Sequence, residues 1–147
     1  MHHDMNIRLL IYSIGTSLRS AEDFMEIISA YGIMAIIDVR SNPRSKLDHF
    51  SRQPFSELLQ AGGIEYHFLG KELSGLRKGG YPSYIITDKF RDGISKLEAI
   101  AEKQTSVIVC AERFPWKCHR KWISLELHKH GWEVRHIIDK DNIWIPK

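Results

Sequence analysis

The sequence predicts an α/β protein, a three-layer α/β/α sandwich around a mainly parallel sheet of about five strands, Rossmann-like in plan. Three observations predict it. Short β-branched runs alternate with helical patterns from end to end. One of these runs, residues 33–39, is apolar but for Asp38, continuous enough for a strand covered on both faces. The residues that follow each strand are polar, titratable or glycine, as expected where an α/β sheet gathers a ligand site at its strand carboxyl ends.

Residues 8–14 form the first strand, and Gly15-Thr16-Ser17 turns the chain. Ser20, followed by Glu22 and Asp23, marks a helix N-terminus with acids in its first turn. Phe24, Ile27, Ile28 and Tyr31 recur at i, i+3, i+4 and i+7 and give that helix one apolar face, which Gly32 closes. Residues 33–39 are the second strand. Residues 54–61 form a helix with Pro54 in its first turn, and residues 64–69 form the third strand. Residues 70–82 hold four glycines and four charged residues and read as a loop. A long helix is expected over 84–103, apolar at Phe90, Ile94, Leu97 and Ile100. The fourth strand, 106–110, leads to a helix over 120–131 with Trp122, Ile123, Leu125 and Leu127 as inner positions. Residues 132–138 are the fifth strand, and 143–145 add an edge. Right-handed crossovers suggest the strand order 3-2-1-4-5.

The chain has 147 residues, the usual size of one domain, with 43% hydrophobic and 27% charged residues. No linker or repeat divides it, so residues 1–147 read as a single domain. The net charge of +3 suits an anionic ligand. Lys and Arg are spread along the chain rather than clustered, which leaves nucleic acid open as a partner without favouring it. Two cysteines build no disulfide framework, the start resembles no secretory signal, and no apolar run is long enough for a membrane span. A cytoplasmic protein with free thiols is expected. The residues imply no cofactor and define no oligomeric state.

The strand ends supply the chemistry. Cys110-Ala111-Glu112 and Cys118-His119-Arg120 place two thiols, a carboxylate, an imidazole and a guanidinium between a strand and a helix start. A helix start offers free N–H groups to an anion. Asp38-Val39-Arg40-Ser41 with Arg44 follows the second strand, Thr16 and Ser17 the first, and Tyr66 lies in the third. Arg77, with Lys78, belongs to the glycine-rich stretch 70–82 that could close over a ligand, and Tyr84 follows it at the start of the long helix.

On these residues the chain resembles the bacterial and archaeal family grouped as domain of unknown function 488. The resemblance runs from about Ile11 to Ile137. It is carried by Ser13-Ile14-Gly15-Thr16-Ser17, Asp38-Val39-Arg40-Ser41-x-Pro43-x-Ser45 and Gly62-Gly63-Ile64-x-Tyr66-x-x-Leu69-Gly70. The Gly75 loop with Tyr84 and Phe90, and the two cysteine triplets, complete it. It implies a small α/β domain whose activity is not established. Thr16 stands where the family usually has a histidine, so no role passes to this chain from that residue.

Each candidate has a functional and a structural reading. Cys110 is a nucleophile or redox thiol, or a small apolar residue finishing a strand. Glu112 is an acid/base or an ion-pair partner of Arg40, Arg44 or Arg120. Cys118, His119 and Arg120 hold an anion, or His119 bonds backbone while Arg120 ties the loop to Asp38. Cys110, Cys118, His119 and His136 as a zinc set are disfavoured, because Cys-x7-Cys lacks the short-knuckle spacing. The Asp-Val-Arg strand end is similar to that of rhodanese-type sulfurtransferases. The loop after Cys110 has no glycine and no Cys-x5-Arg arginine, so that likeness concerns architecture.

The expectation is therefore an enzyme acting on a small anionic, phosphate- or nucleotide-like substrate. Asp38, Cys110, Glu112, Cys118 and His119 are its candidate catalytic residues. Thr16, Ser17, Arg40, Ser41, Arg44, Tyr66, Arg77, Tyr84 and Arg120 are its candidate binding residues. The alternatives are a non-catalytic ligand- or nucleic-acid-binding module and a redox sensor bridging Cys110 to Cys118.

Overall fold

The structure, a computed structural model, describes residues 9–41, 47–75 and 77–146. Its strands are β1 (Leu9–Gly15), β2 (Ala35–Asp38), β3 (Glu65–Phe68), β4 (Ser106–Cys110), β5 (Trp132–Asp139) and β6 (Asn142–Trp144). The α-helices are α1 (Ala21–Ala30), α2 (Arg52–Ala61), α3 (Gly70–Leu73), α4 (Tyr81–Tyr84), α5 (Asp88–Lys103) and α6 (Arg120–Lys129). All strand pairs are parallel except β5 with β6.

The sheet order is β3-β2-β4-β1-β5-β6, not 3-2-1-4-5 with β1 next to β2. β4 sits between β2 and β1. Its five residues are all buried, as a strand with two neighbours and two covered faces requires. Apolar pattern identifies such a strand but says nothing of which strands flank it. Antiparallel β6 makes a sixth strand at the edge.

One face of the sheet packs Phe24, Ile27 and Ile28 of α1 and Phe55 and Leu59 of α2 against Ile36, Val107 and Val109. Phe24, Phe50 and Phe55 meet edge to face with centroids 5.3–5.6 Å apart. The opposite face packs Phe90, Ile94 and Leu97 of α5 and Ile123 and Leu127 of α6 against Ile11, Ile37 and Ile108. The chain moves leftward through β1, β2 and β3 under one layer of helices, then returns through β4 to β5 under the other. β4 therefore sends its loop to the face opposite those used by both its neighbours, and crevices open at its carboxyl end.

Ser20 caps α1 as expected, its hydroxyl accepting from Asp23 N at 3.0 Å. Three local expectations are corrected. The long helix starts at Asp88, not 84, because Thr87 Oγ1 caps it by accepting from Phe90 N. The segment 70–82 holds α3 and the start of α4 rather than loop alone. Tyr81 Oη donates to Leu73 O at 2.9 Å and Tyr84 Oη to Glu72 O at 2.6 Å, which ties the two together. On α6, Leu125 is 53% exposed and Trp122 half-buried, while Arg120, Ile123, Ser124 and Leu127 face inward. The helical period selects i, i+3, i+4 and i+7 whether or not each is apolar. Among the described residues no helix is long and apolar enough to cross a membrane.

Candidate active site

Strand register sets the site. Gly15 pairs with Cys110 and Asp38 with Val109, so β1, β2 and β4 end level with one another. Thr16 N and Ser17 N continue the ladder to Cys110 O at 2.8 Å and Ala111 O at 2.9 Å. Gly15 is needed for this approach: a Cβ there would lie 1.9 Å from Glu112 O. The loop from β4 descends through a 3₁₀ turn at Pro115–Lys117 to the start of α6.

Side chains alternate across a strand. Cys110 lies in phase with Ile108 and joins the α5/α6 face, whereas Asp38 lies in phase with Ile36 on the α1/α2 face. The polar strand ends thus form two clusters.

The first is centred on Asp38, fully buried at the end of β2. Its carboxylate accepts Arg40 Nε at 2.9 Å and Nη2 at 2.8 Å in a bidentate pair, and Tyr66 Oη at 2.6 Å. Arg40 also donates Nη1 to Phe50 O at 2.7 Å and lies over the Phe55 ring. Burial and the Asp38 carboxylate push the Tyr66 phenol well above its usual range. Every strong partner here is internal, which fixes the loop after β2.

The second cluster is centred on Cys118, immediately before α6. Cys118 Sγ accepts from Arg120 N at 3.2 Å and Arg120 Nε at 3.3 Å, and lies 3.0 Å from Cys110 Sγ. The Cys110 hydrogen bond, a hydrogen bond from His119 and the Arg120 charge hold the Cys118 thiol down to about 3. Cys110 moves the other way. Burial and its hydrogen bond to Cys118 push it well above the usual thiol range, so it is the protonated donor and Cys118 the thiolate acceptor.

Arg120 is fully buried and its orientation is over-determined. Nη2 donates to Glu112 O and, at 3.2 Å, to Arg113 O, closing the loop onto the helix. Nη1 donates to Ser13 Oγ at 2.9 Å. With that lone pair used, Ser13 donates its own proton to His136 Nδ1. Burial and the Arg120 charge hold His136 down to about 3, so its ring is neutral and Nδ1 can accept. His136 Nε2 then reaches Ser124 Oγ at 3.5 Å, and Ser124 Oγ donates to Arg120 O at 2.7 Å. A closed circuit of hydrogen bonds surrounds the guanidinium and presents Nε to the thiolate.

The open side of this cluster is a cleft of about 610 Å³. Thr16, Arg40, Ser41, Cys110, Glu112, Cys118 and His119 line it. Glu112 is exposed. His119 is held by Nε2 donating to Val39 O at 3.1 Å. Ser17, Tyr66, Arg77 and Tyr84 are not in its wall. Arg77 bonds Ser74 O and Lys71 O and lies 3.9 Å over the Tyr84 ring. Arg120 reaches Cys118, Ser13 and the loop carbonyls rather than Asp38. Arg44 lies outside the described residues.

Sequence reasoning left several participants unassigned. Lys117, Lys121 and Trp116 line the cleft, and Ser13 and Ser124 position Arg120. The available signal was polarity out of place: Ser13 interrupts an otherwise apolar β1 and pairs in register with the buried His136 of β5, and Ser124 sits on an inward helical position. Among the described residues no three of His, Cys, Asp or Glu are grouped to share a metal ion.

A family model described as Domain of unknown function DUF488 matches residues 20–127. The span includes both clusters' central residues, from Asp38 and Arg40 to Cys110, Cys118 and Arg120. No curated protein matches the chain. No solved structure matches it either.

Proposed function

The chain belongs to the DUF488 family, and within that family we propose that it is an enzyme whose nucleophile is the Cys118 thiolate, acting on a small anionic substrate in the cleft at the ends of β1, β2 and β4. The observation that carries this reading is the pair of Arg120 N–H groups on Cys118 Sγ, at 3.2 and 3.3 Å, beside a protonated Cys110 thiol. A thiolate at a helix start next to a guanidinium is the active form of cysteine at neutral pH.

The cleft supports the anionic character of the substrate. Lys117 and Lys121 are exposed on its rim and Arg40 contributes to its wall, against one carboxylate, Glu112. Glu112 is positioned to carry a proton to or from bound substrate, and Thr16, Ser41 and His119 shape the binding surface. Asp38 and Tyr66 act behind the site by fixing Arg40. Ser17 fixes the β1 turn through its backbone N–H, and Arg77 and Tyr84 brace the 70–84 segment. Thiols kept in reduced form suit a cytoplasmic setting.

The test compares alkylation of Cys118 by iodoacetate and by iodoacetamide. The anionic reagent should gain rate relative to a simple thiol, inorganic phosphate should protect, and Lys117→Ala with Lys121→Ala should abolish the gain. Turnover of phosphate- or nucleotide-bearing substrates should disappear in Cys118→Ser. Turnover that survives Cys118→Ser unchanged, or modification confined to Cys110, contradicts the reading.

A further inference from the structure

Cys110 has no duty in a simple thiolate attack beyond one hydrogen bond, yet its sulfur lies 3.0 Å from the nucleophile's. A disulfide bond is about 2.05 Å long, so the two sulfurs need close by only about 1 Å. The two residues are held from independent directions. Cys110 ends β4, and Cys118 precedes α6 under the grip of Arg120. The loop between them is secured by Arg120 on Glu112 O and Arg113 O.

We propose that Cys110 and Cys118 form a dithiol–disulfide couple that reduces a small anionic disulfide bound in the cleft, an activity that rests on Cys118 being the nucleophile. The Cys118 thiolate attacks one sulfur of the substrate disulfide, forming a mixed disulfide at Cys118 and expelling the other half as a thiolate. That thiolate takes the proton of Cys110. The Cys110 thiolate then attacks Cys118 Sγ, forming the Cys110–Cys118 disulfide and releasing the second half as a thiolate. The two protein sulfurs are oxidised and the two substrate sulfurs reduced, with charge unchanged.

The electrostatics order the two steps. While Cys118 is a thiolate, its charge and its hydrogen bond both hold the proton on Cys110, and Arg120 opposes them. Burial, the largest influence on Cys110, is the same in both states. Conversion of Cys118 to a mixed disulfide removes the other two restraints and leaves the Arg120 charge and the backbone hydrogen bond at Glu112 to oppose burial and lower the Cys110 thiol. One guanidinium serves the two thiolates in turn. The rim lysines Lys117 and Lys121 meet the substrate's negative charge.

The reduced full-length protein is incubated with glutathione disulfide, an anionic probe, and its mass and free thiols are followed. Wild type should lose both free thiols, carry no glutathione and release two glutathione thiols per chain. Cys110→Ser should retain one glutathione on Cys118, and Cys118→Ser should remain unmodified. A wild-type protein that accumulates glutathione on Cys118 while Cys110 stays alkylatable overturns the couple. So does a wild type left unmodified although iodoacetamide alkylates Cys118 at acid pH. Failure of that acid-pH alkylation overturns the nucleophile itself, so the two failures are distinct. The wild-type result alone decides the matter if either variant fails to fold.

Discussion

The ends of β2 and β4 each lead to an arginine that closes on a nearby acceptor, Arg40 on Asp38 and Arg120 on Cys118, and they do opposite things. At β2, Arg40 and Tyr66 close on the Asp38 carboxylate on the α1/α2 face, and the acceptor's partners are all internal. At β4, on the other face, Arg120 directs its Nη1 and Nη2 groups to Ser13 and loop carbonyls and only Nε and its backbone N–H to Cys118. The thiolate keeps its open side on the cleft. An arginine near an acceptor is thus not a site by itself; what separates a brace from a site is whether the acceptor retains an open face.

Breaking the closed cluster should have the largest effect on stability. Asp38→Ala strands a buried guanidinium, and urea unfolding should show a loss of about 3–5 kcal/mol. The fraction that folds should keep the Cys118 acidity of wild type.

Acid should destabilise the open cluster. The folded-state values of His136 and Cys118 are both held down to about 3, below their ordinary values of 6.5 and 9.0. The unfolded chain therefore binds more protons between the paired values, and stability rises with pH there. The His136 contribution is complete above about pH 6.5 and is lost as pH falls toward 3, a change of a few kcal/mol. In urea titrations across pH, His136→Gln should flatten the curve below about pH 6.5.

Two glycines separate the clusters. A Cβ on Gly15 would meet Glu112 O, and one on Gly70 would meet Arg40 O, each at 1.9 Å. Alanine at either should cost about 1–3 kcal/mol. Gly15→Ala alone should raise the Cys118 pKa, since it displaces the carbonyl that Arg120 holds; the rate of Cys118 alkylation at acid pH reads this. Tyr66→Phe should cost a similar amount of stability and have the smallest effect on the open cluster. It removes one hydrogen bond to Asp38, a loss of about 1.5–3 kcal/mol in urea unfolding at the most, with Cys118 reactivity unchanged.

Much of the fold is legible in the sequence because local pattern controls it. The Ser20 cap, the apolar face of α1 and the buried run of β4 follow from period and chemistry. The position of β4 between β2 and β1 is not legible, because strand neighbours are chosen by packing at long range. That one uncertainty hid the division of the site. Asp38 and Cys110 both sit at strand ends, and the phase of each in its strand can be read, but the face each phase meets depends on the sheet order and its crossovers. The same holds for Arg120. Its place at a helix start can be read, whereas its inward turn depends on β1 and β5 bringing Ser13 and His136 beneath α6.

The central claim is that Cys118 is a thiolate, supported by Arg120 and by a protonated Cys110. Thiolate ultraviolet absorbance, titrated against pH in wild type, Cys118→Ser and Cys110→Ser, tests it most directly. One thiolate per chain should persist in wild type down to about pH 4, far below the ordinary thiol range near 8.5. It should vanish in Cys118→Ser and remain, with a raised midpoint, in Cys110→Ser. Wild-type absorbance that appears only above about pH 7–8 would contradict the account.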